Sequence, residues 1–113
     1  MVDQTKNATV AHGAFRFRIS DSLEVPLRGH MLRLRLVEGS PSMKVLGPGK
    51  ELTVVSPAGE RRIVRIIGHS ATGGRATQSR LDTTRELDVV ISSQDAGEGR
   101  DRIGIGWFAG PAR

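Results

Sequence analysis

AFRFRIS at residues 14–20 and HMLRLRLV at residues 30–37 decide the fold. In the first, Phe15, Phe17 and Ile19 alternate with Arg16, Arg18 and Ser20; in the second, Leu32, Leu34 and Leu36 alternate with Arg33 and Arg35. A period of two puts the apolar side chains on one face of a half-buried strand, whereas a helix would spread the arginines around its circumference. Both segments are therefore predicted strands, connected through Pro26 and Gly29. If they pair, Arg16, Arg18, Arg33 and Arg35 share one outward face.

Further along, the Gly- and Pro-dense stretch 39–50, GSPSMKVLGPGK, reads as a connection with a short extended piece at Met43 to Leu46. ELTVVS (51–56) and ERRIVRII (60–67) flank Pro57, Ala58 and Gly59, the pattern of a β-hairpin. Residues 68–86 carry one large aliphatic side chain, Leu81, and read as a long polar loop. LDVVIS (87–92) is a predicted strand, SQDAGEGRD (93–101) a turn, and RIGIGWF (102–108) a last strand with Ile103, Ile105 and Trp107 on one face. Short strands separated by turn chemistry predict an all-β fold, a sandwich or a small closed six- to seven-stranded antiparallel β-barrel. Residues 1–13 are polar and aperiodic, so the expected organisation is a disordered N-terminal arm followed by a single domain over 14–113.

Composition narrows the chemistry. A chain of 113 residues is long enough to bury a core unaided, and with no cysteine it has neither disulfides nor thiolate ligands or nucleophiles. No stretch reads as a signal peptide or membrane span, which makes a cytoplasmic protein with no membrane partner the expectation. The formal charge of +5, carried mostly by arginine, attracts phosphate polyanions but is also ordinary for a solvated surface. His12, His30 and His69 lack metal-ligand spacing, and no nucleophile elbow is present, so neither a metal, a cofactor nor a catalytic set is expected. Gly104, Gly106 and Ala109 spell a dinucleotide fingerprint, but too little chain follows for the helix and strand it requires. The sequon at Asn7 has no secretory context.

The order of signals from Phe15 to Gly110 resembles the second domain of translational GTPases, the elongation factor Tu domain II type of β-barrel. Phe17, Ile19 and Asp21, then Val25, the pair Arg28 and Gly29, and the strand ending at Val37 and Gly39 carry the resemblance. Gly47 or Gly49 before ELTVV, the turn at Pro57 to Gly59, and the closing RIGIGWFAGP continue it. The chain departs from the pattern in the length of 39–50 and in having Arg85 and Glu86 where a glycine is expected. It also has no P-loop, since Lys44 stands where a glycine must precede Gly49 and Lys50, and Glu51 follows them. The resemblance implies a barrel module that touches ribosomal or transfer RNA or packs on a neighbouring domain, without nucleotide hydrolysis.

The candidate nucleic-acid-binding residues are Arg16, Arg18, Arg33 and Arg35 on the strand face, with Arg75 and Arg80 in the polar loop, because the guanidinium fork matches phosphate oxygens. The plain alternative is that acids such as Glu51, Glu60 or Asp88 on neighbouring strands interleave with them. Phe15, Phe17, Trp107 and Phe108 are too few and too inward for a base-stacking platform; Phe108 is a surface contact or, as expected here, a barrel plug. The leading functional reading is a binding module for RNA or a ribonucleoprotein. A protein-interaction or regulatory barrel is the alternative, a small enzyme ranks last, and oligomeric state is left open.

Overall fold

The computed structural model describes residues 14–70 and 76–112; the arm 1–13 lies outside these residues. Among the described residues seven antiparallel strands form one sheet: β1 Phe15–Val25, β2 Gly29–Gly39, β3 Glu51–Val55, β4 Arg61–Arg65, β5 Gly68–His69, β6 Glu86–Ile91 and β7 Phe108–Pro111. Their order is β4-β3-β7-β1-β2-β6-β5. The ladder is open. However, the stretch 61–69 pairs with β3 through its first half and with β6 through its second, Ile67 N–H also donating to Val90 O at 2.7 Å. One run of chain thus serves both ends of the sheet and curls it around a single core. No helix among the described residues is long and apolar enough to cross a membrane.

The alternation in β1 and β2 has the expected consequence. Phe17, Ile19, Leu32 and Leu34 are wholly buried, together with Leu52 and Val54 of β3, Val64 and Ile66, and Val89 and Ile91. Each such side chain contributes roughly 1.5–3 kcal/mol of burial. Two β-bulges, between Arg16 and Phe17 and between Ile19 and Asp21, set the register, so that Arg16 lies opposite Glu38, Arg18 opposite Arg35, and Arg33 opposite Asp21. The hairpin β3–β4 forms as expected, with Val55 opposite Arg61 across the turn.

Four local expectations are corrected. Met43–Val45 is a 3-10 turn capped by Ser42, not an extended piece. The long loop holds β5 and a helix, α1 Gln78–Thr84, whose amino end is capped by Thr77 accepting from Arg80 N–H and whose Leu81 is buried in the core. One apolar side chain suffices because it docks on the main core, and the cap satisfies backbone donors that would otherwise be orphaned. The turn 93–101 holds a helical turn, α2 Ser93–Ala96, and a 3-10 turn, Gly99–Asp101. Finally, residues 103–107 are not strand: Gly106 takes φ +96°, the chain turns there, and Ile105 points outward while Ile103 and Trp107 stay buried.

Candidate nucleic-acid interface

The outer face of the sheet collects the residues that the inner alternation leaves over. On its β2–β6 side the acids interleave. Arg33 Nε and Nη2 reach Asp88 Oδ1 and Oδ2 at 2.9 and 3.1 Å, a bidentate pair that raises the Arg33 pKa, chiefly through its hydrogen bonds to Asp88. Arg35 Nη1 donates to Glu86 Oε2 at 3.1 Å. Both arginines thus have their charge matched across β6, and the exposed Arg35–Glu86 pair contributes about 0–1 kcal/mol. Asp88 is one of the acids anticipated for this role; Glu86 is an addition.

On the β1–β7–β3 side the balance differs. Arg16 lays its guanidinium over the Phe108 ring, 3.8 Å from the centroid. Phe108 is therefore on the outer face, half-buried, and is not the expected barrel plug; its neighbour Ala109 points into the core instead. Beside the stacked pair runs a shallow groove of about 540 Å³ lined by Phe15, Thr53, Val55 and Phe108–Pro111, with Arg16, Arg61 and Glu38 among its lining residues. Among the described residues none of Arg16, Arg18, Arg61 or Glu38 forms an ion pair or a side-chain hydrogen bond. Three charges around an apolar floor thus stay available to a ligand.

The structure brings Arg16, Arg18, Arg33 and Arg35 onto adjacent strands, as the pairing required, but only the first two keep unmatched charge. Arg80 sits on α1, off the strands, and Arg75 lies outside the described residues. Sequence reasoning missed Arg61 and Glu38. Arg61 was within reach, because a hairpin turning at 57–59 places Val55 opposite Arg61. Glu38 was not, because its placement beside Arg16 depends on a bulge.

Arg62, next to Arg61 in sequence, is spent on the fold: Nη1 donates to the carbonyls of Asp95 and Ala96 and Nη2 to that of Asp101, with the guanidinium 5.4 Å from the Trp107 ring centroid.

His30 is buried beside a second cavity of about 340 Å³ that Glu24, Ser93, Gln94, Gly97, Glu98 and Arg102 also line. Its Nε2 lies 2.7 Å from Ser22 Oγ, and that hydroxyl lies 2.7 Å from Ile103 O. The serine has one proton and gives it to the carbonyl, so the imidazole must donate to Ser22. The arrangement is the reverse of an activated nucleophile, in which the histidine accepts. Desolvation first, then Arg102, lowers the His30 pKa against the opposing pull of Glu24. A neutral buried histidine binds its proton more readily once unfolded, so the unfolded state takes up more protons as pH falls. The expected result is a loss of stability as pH falls from about 7 towards the lowered folded-state value, flattening below it. Urea midpoints measured from pH 7.5 to 5 should show this slope, and His30→Gln should remove its share.

Among the described residues no group of three His, Asp or Glu side chains is placed to hold a metal ion. Compared with known families and curated proteins, the chain matches no family model and no curated protein.

Proposed function

We propose that the protein is a binding module, cytoplasmic and non-catalytic, that holds RNA or the RNA of a ribonucleoprotein against the outer face of its sheet. The carrying observation is the Arg16–Phe108 stack at the edge of a groove also lined by Arg61, with Arg18 on the adjoining strand position and none of the three arginines ion-paired among the described residues. Arginine forks suit phosphate oxygens, and a chain of formal charge +5 favours polyanions at long range. The kinship we propose is with the second-domain barrels of translational GTPases. Two glycines of the resembling pattern support it: Gly29 and Gly39 take φ +131° and +85°, at positions where a Cβ would strike backbone.

The test is fluorescence anisotropy of labelled single-stranded RNA decamers at 50 and 200 mM salt. Binding through about three phosphates loses roughly tenfold or more in affinity over that range. Arg16→Ala and Arg61→Ala should each weaken it about tenfold at 50 mM salt, while Arg33→Ala and Arg35→Ala, whose charges are already matched, should weaken it less. Absence of binding at 50 mM salt would refute the reading.

One observation favours a second reading, a protein-interaction module. Leu27, at the tip of the β1–β2 hairpin, is fully exposed at 106% and holds φ +67°. A large apolar side chain there costs both solvation and backbone strain, and burial against a protein partner would offset the first. Salt-insensitive association with a protein, without RNA binding, would select this reading.

A further inference from the structure

We infer that the groove beside the Arg16–Phe108 stack is a slot for one unpaired guanine of a single-stranded RNA. This deepens the RNA reading and rests on it. The floor is mostly apolar: Val55 lies opposite Phe108 and Thr53 opposite Gly110 across the β3–β7 ladder, and Pro111 extends it. A planar base laid there meets the aromatic and aliphatic surface and the guanidinium plane of Arg16, the kind of stacking that unpaired RNA bases seek. At about 540 Å³ the groove falls within the roughly 300–1,000 Å³ of small-ligand sites, room for one nucleotide rather than a stacked run. That agrees with the shortage of exposed rings noted in the sequence.

Glu38 supplies the choice of base. Glu38 lines the same groove, opposite Arg16 across the β1–β2 ladder, and among the described residues it has no ion-pair or side-chain hydrogen-bond partner. An ionised carboxylate only accepts hydrogen bonds. Guanine is the base whose Watson–Crick edge offers two parallel donors, N1–H and the exocyclic amine, so it can meet both carboxylate oxygens at once. Uracil and adenine present an acceptor beside their donor, and cytosine presents one amine flanked by an acceptor. A carboxylate in a phosphate-binding groove would otherwise only repel the RNA; with guanine its charge becomes an asset. Arg61, on β4 at the far side of the same groove, is available to the adjoining phosphate.

The experiment compares four labelled decamers by anisotropy at 50 mM salt: oligouridylate, and the same strand with one central guanosine, adenosine or cytidine. The guanosine strand is expected to bind about tenfold tighter than the others, the scale of one good bidentate contact. Glu38→Gln and Glu38→Ala should both erase this preference while leaving oligouridylate binding equal or stronger, since a negative charge is removed. If all four strands bind alike, or the guanosine preference survives both Glu38 variants, the slot is overturned and the backbone-reading module stands. If no strand binds, the RNA reading itself fails and the slot with it. Unchanged urea midpoints of the Glu38 variants confirm that the folded state is being compared.

Discussion

Gly29→Ala is expected to lower the free energy of unfolding by about 2–5 kcal/mol, from backbone strain and overpacking together. Gly29 begins β2 at φ +131°, a conformation that L side chains rarely adopt, and a Cβ placed there would lie 2.3 Å from the carbonyl oxygen of Ile91 in β6. The obstacle is backbone against backbone, so no side chain can swing aside. Relief requires β2 and β6 to part beside the His30–Ile91 pair, where Ile91 is wholly buried. Two other glycines separate the causes. Gly59 has φ +94° with open space around it, so Gly59→Ala should cost only the strain, about 1 kcal/mol. Gly68 has neither constraint, and Gly68→Ala should change stability by less than about 0.5 kcal/mol. Urea unfolding midpoints rank the three; equal losses at Gly29 and Gly59 would show that the close approach to β6 costs nothing.

Arg62→Ala is the second large effect, with an expected loss of about 3 kcal/mol, the scale of removing charge-assisted hydrogen bonds and uncovering their acceptors. The guanidinium ties β4 to the segment 95–101 through three carbonyls, the shortest bond running from Nη2 to Asp101 O at 2.7 Å. It also covers one side of buried Trp107. Arg62→Lys should recover less than half of the loss, because an ammonium is a point charge and cannot span three acceptors as the planar fork does. Arg61→Ala, one residue away, should leave stability within about 0.5 kcal/mol, since Arg61 is exposed and holds nothing in the fold. Urea midpoints of the three variants, with amide chemical shifts over 93–103, check both the size and the location of the change. A neutral Arg62→Ala would mean that the segment 95–101 stands without the arginine.

These two arginines show where sequence reading stops. Arg61 and Arg62 are adjacent and chemically identical, yet one is open to a ligand and the other anchors a turn 33 to 39 residues away. Strand alternation tells which points out; it does not tell what lies on the far side of the chain. The same limit applies to the arginine face. Alternation put Arg16, Arg18, Arg33 and Arg35 on one surface, but pairing of β2 with β6, a crossover 55 residues long at Arg33–Asp88, neutralises half of it. The unmatched half gained a member that periodicity could not add, Glu38, shifted into place by a bulge, and the ring of Phe108 gained a guanidinium stacked on it.

The helix α1 illustrates a different loss. Its seven residues carry one buried side chain, Leu81, which leaves no hydrophobic period to read. Its amino cap at Thr77 was visible in principle, but a cap without an amphipathic run marks many turns as well.

By itself the sequence determined the all-β class, the inward and outward faces of β1 and β2, and the β3–β4 hairpin, because those depend on alternation and turn chemistry within about a dozen residues. The tertiary structure alone decided which arginines keep their charge, which of them stacks on Phe108, and which histidine is buried. Each of those depends on register, bulges and a neighbouring strand distant in sequence, and a one-residue shift in pairing reverses the face that every side chain presents.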